Sequence, residues 1–249
     1  MPIALQAAWW GFFAGGALII GALIAWFVRV PRTVIAAVMA FGAGVLISAL
    51  AFDLVDEAES TGGLTPTIVG FLAGALVYVG ANVVLARRGA QHRKRSGEEQ
   101  PSEDDQAGSG AAIAIGALLD GIPESIVLGL SLLGGGGVGV PVLVAIFISN
   151  LPEGLSSAAG MKANGRSARY VFTVWTAIAI ASGLAGLLGA VALDGAAPET
   201  IAVITAIAAG AILAMVADTM IPEAFDRAHL FAGLITTLGF IAAFTIQRA

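Results

Sequence analysis

The sequence predicts an all-α, polytopic membrane protein with eight transmembrane helices. Three observations predict it. The 249 residues are 58% hydrophobic and only 12% charged, where a globular domain carries about 25% charged residues. Runs of about 20 apolar residues, long enough to cross a ~30 Å hydrocarbon core, recur along the chain. The basic residues collect in alternate connections between those runs, as they do when one side of the membrane faces the cytoplasm.

The expected spans are roughly 6–28, 33–55, 66–86, 110–133, 139–161, 169–193, 199–219 and 229–247. The N-terminal stretch MPIALQAAWWGFF lacks the basic start and cleavage site of a signal peptide and reads as leading into the first span. Arg29 and Arg32 flank the first connection, Arg87, Arg88, Arg93, Lys94 and Arg95 lie in the third, Lys162, Arg166 and Arg169 in the fifth, and Arg227 in the seventh. Of the 12 Lys and Arg residues only Arg248 falls elsewhere, and the second, fourth and sixth connections hold none. The odd connections are therefore expected inside a cell (inner) membrane, with both termini outside. Basic residues this scattered form no phosphate-binding face, so no nucleic-acid partner is expected. Without cysteine the chain offers no disulfide and no thiolate ligand.

The third connection, RRGAQHRKRSGEEQPSEDDQAGSG, is the only long polar segment. Its change from basic to acidic, with Gly, Ser and Pro, predicts a mobile cytoplasmic loop over 87–109. His92 falls there and reads as a solvated side chain. The chain otherwise forms a single transmembrane domain, 1–249. A faint repeat joins the second and seventh spans: Gly44 and Leu46 precede Glu57-Ala58 as Gly210 and Ile212 precede Glu223-Ala224. The two spans would run in opposite directions, the pattern of an inverted repeat, here arranged three, two and three. Glycines in the first span (Gly11, Gly15, Gly16, Gly21) and the sixth (Gly183, Gly186, Gly189) suit close helix contact.

Function is expected at LLDGIPES (Leu118–Ser125) and ISNLPEG (Ile148–Gly154). Each sets a proline and carboxylates inside an apolar run. Asp120 and Glu124 lie four apart, and Asn150 and Glu153 three apart, so each pair shares a helix face. Counted at ~1.5 Å per residue, Asp120 and Asn150 sit roughly 15 Å deep, near the midplane. A carboxylate there costs at least ~2.5–3.5 kcal/mol, so it is expected to face a partner or a path. Pro123 and Pro152 cannot donate to the carbonyls of Leu119 and Ile148. Carboxylates, the Asn150 amide, the Ser149 hydroxyl and freed carbonyls form an oxygen-rich set whose crowded charge a divalent cation would neutralise. One such motif also fits a hydrogen-bonded structural carboxylate. Two at matched depth, with partners one turn away, point to a shared site.

These motifs resemble the metal-binding signature of the ZIP (Zrt/Irt-like) family of divalent metal transporters, with its P-E-G-type motifs in the fourth and fifth spans. The matching residues are Asp120-Gly121-Ile122-Pro123-Glu124-Ser125 and Ser149-Asn150-Leu151-Pro152-Glu153-Gly154. Phe41–Ala58 and Asp218–Ala224 resemble the family as well, so the likeness covers nearly the whole chain. It implies inward transport of zinc or another transition metal, a moving bundle of spans 1, 4, 5 and 6, a scaffold of spans 2, 3, 7 and 8, and a homodimer. Asp120 stands where the family has His, Gly121 where it has Asn, and Gly186 where it often has Glu. These departures imply a single-metal site of Asp120, Glu124, Glu153 and Asn150.

No span contains Cys, the only His within the span bounds is His229 at the very start of the eighth, and an all-oxygen set suits Mn²⁺ or Fe²⁺ at least as well as Zn²⁺; Cd²⁺ and Mg²⁺ also stay open. The ion is expected as cargo, with no prosthetic cofactor. Asp53 and Asp218, the deepest acids of the second and seventh spans, are the expected pathway residues, forming an electrostatic entry and exit for a cation. An enzyme is not expected, because a metal-assisted catalyst would need an open metal with a polarised water. A proton-coupled carrier of another substrate and a non-transporting metal sensor are the rival readings.

Overall fold

The computed structural model describes residues 1–133 and 138–248. It is 84% helical, and no strand occurs among the described residues. Eight helices are long and apolar enough to cross a membrane: α1 (Ile3–Phe27), α2 (Arg32–Gly62), α3 (Leu64–Ala90), α4 (Ser109–Ser131), α5 (Val140–Ala163), α6 (Ala168–Ala192), α7 (Pro198–Ala228) and α8 (Phe231–Arg248). The protein is an all-α, multi-pass membrane protein. Within the fourth connection, residues 134–137 lie outside the described residues.

Most boundaries fall where hydropathy puts them, but α2 and α7 run well past their expected ends. Their last turns, DEAESTG and IPEAFDRA, are polar and leave an apolar window, yet their residues still hold helical backbone. Each long helix passes through a π-helical turn, Leu50–Leu54 in α2 and Val216–Met220 in α7. Such turns insert an extra residue into a helix and often mark functional positions. Asp53 and Asp218 both lie on them.

The faint repeat in the sequence has a structural counterpart. Both helices are 31 residues long, and Arg32 and Pro198 lie 166 positions apart, as do Leu50 and Val216. Their partners match too. Gly44 of α2 sits against the Thr236 carbonyl of α8, and Gly239 of α8 against that of Phe41. Gly210 of α7 sits against the Phe71 carbonyl of α3, and Gly74 of α3 against that of Ile207. A β-carbon at any of the four would collide with facing backbone, so the α2–α8 and α3–α7 pairs depend on glycine in the same way.

The remaining helices form a second group in which α1 packs on α5 and α6, and α4 on α6. Gly11 and Gly15 meet Ser182 and Ala179, while Gly183 and Gly186 meet Ala8 and Ala7. Gly16 faces open space and makes no such contact. The groups meet where α2 packs on α5 and α4 on α7. The site lies at this junction.

The segment after α3 departs from expectation. Instead of a mobile solvated loop, its first half enters the bundle: Arg93, Lys94, Ser96 and Gln100 are buried. Gln100 Nε2 is within hydrogen-bonding reach of the carbonyls of Arg93 (3.1 Å), Arg95 (2.9 Å) and Ser157 (3.1 Å). The Ser156 hydroxyl lies 2.5 Å from the Lys94 carbonyl. Gly160 of α5 leaves the space in which the Arg95 backbone and Gln100 pack. Composition marks such a segment as polar and cannot register that its polar groups find partners inside the bundle.

Candidate functional site

The proline-bearing helices bring Asp120, Asn150 and Glu153 to one buried place, and the loop supplies two residues that were not expected. Asp120 on α4 is 2% exposed and Glu153 on α5 is 5% exposed. Between them stands the Lys94 ammonium, 3.3 Å from Asp120 Oδ2 and 2.7 Å from Glu153 Oε2. Arg93 grips Asp120 with two nitrogens: Nε donates to Oδ2 at 3.0 Å and Nη2 to Oδ1 at 2.8 Å. Tyr78 on α3 donates its hydroxyl to the same Oδ1 at 2.6 Å. Gly116 on α4 makes room for the Arg93 side chain.

The Arg93 guanidinium is fully engaged. Nη1 also donates to Asn82 Oδ1 at 2.7 Å and approaches the Ala90 carbonyl at 3.3 Å, and Nη2 donates to the Tyr78 oxygen at 2.8 Å. Lys94 differs. Its ion pairs are close, but Nζ makes no well-directed hydrogen bond, and Glu153 Oε1 has no partner. Burying charge without satisfying its hydrogen-bonding capacity is costly, so Lys94 is held chiefly by Coulomb attraction.

A small cavity of about 10 Å³ lies against this cluster, at the lower limit for one water. Asp120, Asn150, Glu153, Lys94, Ser157 and Trp175 are among its lining residues. The Ser157 hydroxyl and Trp175 Nε1 are buried there without partners. A second cavity of about 130 Å³ lies on the loop side, lined by Gln91, His92, Lys94, Arg95, Asp218, Thr219 and Pro222. Lys94 borders both.

Each expected site residue can be placed. Asp120 and Glu153 meet at Lys94. Asn150 lines the inner cavity and donates Nδ2 to the Ala14 carbonyl at 3.0 Å, tying α5 to α1 while leaving its oxygen uncommitted. Glu124 is buried with no ion pair and no hydrogen bond, and its Oε1 is enclosed; it is not among the residues lining either cavity. Ser149 turns back on its own helix, donating to the Ile146 carbonyl at 2.9 Å, which corrects its expected place among oxygens facing the site. The short hydroxyl finds a local carbonyl before it reaches across. Asp53 accepts from Gln247 Nε2 at 2.5 Å, and Asp218 opens onto the loop-side cavity near Asn82, whose Nδ2 is 3.4 Å away. Among the described residues, no three His, Cys, Asp or Glu side chains sit together closely enough to hold a metal ion in this arrangement.

Sequence reasoning missed Arg93, Lys94 and Tyr78, and placed Glu223 only among the acids at the inner end of the seventh span. Glu223 is the repeat partner of Glu57, and it is buried at 2% exposure. It accepts from the Ser96 backbone and hydroxyl at 3.0 and 2.6 Å and lies 3.5 Å from Arg95 Nη1, pinning the loop to α7. The loop's acidic half is pinned at the surface, where Glu103 meets Arg166 at 2.8 Å. The Arg166 guanidinium, with the backbone N–H groups of Gly108 and Gly110, holds the Glu103 carboxyl down at a pKa of about 2.

Comparison of the sequence with models of known families gives no match, and comparison with curated proteins gives no significant one.

Proposed function

We propose that this protein carries divalent metal cations across a cell membrane toward the cytoplasm, through a buried carboxylate site of Asp120, Glu124 and Glu153 with Asn150. The eight apolar helices fit a membrane transporter in general. One observation supports a cation as the cargo: carboxylates from two proline-bearing helices already hold a positive charge, the Lys94 ammonium, at 2.7 and 3.3 Å deep in the bundle. A pocket that stabilises a buried ammonium can stabilise a metal ion once the side chain leaves. In this reading the described state is a blocked one, with Lys94 standing where cargo would sit. The resemblance of the two motifs to the ZIP family favours zinc or another transition metal, while the oxygen donors favour Mn²⁺ and Fe²⁺ equally.

A proton-coupled carrier of another substrate is the second reading. It is favoured by the Arg93–Asp120 pair, which removes one carboxylate from metal binding and leaves Glu124 and Glu153 as proton carriers. Reconstituted protein would be tested for uptake of Zn²⁺, Mn²⁺, Fe²⁺, Cd²⁺ and Mg²⁺, beside Glu153→Gln. Saturable flux of any of these ions that the variant loses supports the metal carrier. Proton movement without any divalent flux favours the second reading. Binding without flux identifies a sensor.

A further inference from the structure

Two cations of the loop enter the carboxylate cluster, and their surroundings differ. Arg93 is anchored on α3 and α4: Asn82, Tyr78 and Asp120 together accept from all three of its nitrogens. Lys94, its neighbour in sequence, is 5% exposed yet has no well-directed hydrogen bond. It faces Glu153, whose Oε1 is unpartnered, and the enclosed Ser157 hydroxyl lines the same small cavity. It also borders the 130 Å³ polar cavity on the loop side, which is large enough to receive an ammonium group.

We infer that Lys94 is the exchangeable occupant of a cation seat and Arg93 a fixed part of its wall. Cargo enters when the Lys94 side chain swings from Glu153 into the loop-side cavity, between His92 and Asp218. Arg93 stays on Asp120. With Asp120 neutralised by Arg93, the vacated seat has Glu153 as its anion and the Asn150 and Ser157 side chains on its lining, while Glu124, also buried, lies outside that lining. Carboxylate, amide and hydroxyl oxygens are hard donors, so a hard or borderline metal cation fits this seat. The swing also couples seat occupancy to the loop, because the Lys94 carbonyl is held by Ser156 and the next residues by Glu223. The inference rests on the proposed metal carriage and adds which side chain must leave.

The test is equilibrium binding of Mn²⁺ and of Zn²⁺ alone to the purified full chain in nanodiscs. Wild type would be compared with Lys94→Met, Lys94→Gln, Lys94→Arg and Arg93→Lys, with thermal unfolding in the presence and absence of metal as the folding control. An occupied seat lowers apparent affinity by the fraction of time it is open, and minor states are commonly populated at about 0.1–10%, so removing the ammonium is expected to tighten binding at least about tenfold. Lys94→Met and Lys94→Gln should both show this, while Lys94→Arg and Arg93→Lys should not. Equal affinity of wild type and both neutral Lys94 variants would overturn the inference and leave metal carriage standing. Tightening by Arg93→Lys as large as that by Lys94→Met would overturn the division of roles. Absence of binding in every protein would remove metal carriage itself, and this inference with it.

Discussion

Arg93 and Asp120 form a two-pronged ion pair, at 2.8 and 3.0 Å, between a loop and a helix that are 27 residues apart in sequence. Both side chains are almost wholly buried. Breaking such a pair from one side leaves an uncompensated buried charge and costs about 3–5 kcal/mol, whereas replacing both partners by apolar groups can be nearly neutral. Arg93→Met and Asp120→Leu should each lower thermal stability strongly, and the double variant should unfold above either single one. Additive losses in the double variant would show that the pair is not coupled.

Glu223 holds the loop from α7 through Ser96 and Arg95. Glu223→Ala leaves the Ser96 donors unpaired, at about 1–3 kcal/mol per buried group. Protease cleavage within 91–100 should accelerate markedly while the helices stay intact. Gly160→Leu should do the same by a different route, since its side chain would occupy the space of the Arg95 backbone and Gln100. Unchanged cleavage in both variants would contradict the packed loop.

The surface anchor Glu103–Arg166 responds to pH in one direction. Its folded pKa, about 2, lies below the ordinary 4.5 of a glutamate. A depressed carboxyl stabilises the folded state above the ordinary value and loses that contribution as pH falls toward the folded one. Hydrogen exchange at Gly108 and Gly110 should be flat between pH 5 and 8, after correction for the intrinsic rate, and rise only below about 4.5. High salt should weaken this exposed pair at neutral pH. A rise in corrected exchange between pH 5 and 8 would count against it.

The repeat predicts equal effects at matched glycines. A side chain at Gly44 would strike the Thr236 carbonyl and one at Gly210 the Phe71 carbonyl. Gly44→Val and Gly210→Val should therefore destabilise to a similar extent, by more than the ~1–3 kcal/mol of ordinary overpacking, as read by thermal unfolding in detergent. A large effect at one and none at the other would break the equivalence.

The fold was legible where physics acts locally. Apolar runs must be helices in lipid, and the Gly44/Gly210 offset marked a repeat that the paired π-turns and glycine contacts bear out in geometry. Asp120, Glu153 and Asn150 were legible because a carboxylate or amide inside an apolar run needs a partner. Their partners were not. Arg93 and Lys94 lie in a stretch whose composition reads as solvated, and only long-range packing on Tyr78, Ser156 and Glu223 takes it inside. Ser149 was misplaced because a hydroxyl on a helix can satisfy itself locally, a choice that spacing cannot reveal.

Glu124 is buried without a hydrogen bond or an ion pair, so its role separates a cargo ligand from a structural group. Flux of a single divalent ion, Mn²⁺ or Zn²⁺, into vesicles containing wild type or Glu124→Gln tests metal carriage most directly. The account predicts saturable uptake by wild type that falls at least about a hundredfold in a correctly folded variant, as expected when about 2.7 kcal/mol of ligand stabilisation is lost. Equal uptake by the two proteins, or no divalent uptake by wild type, would contradict it.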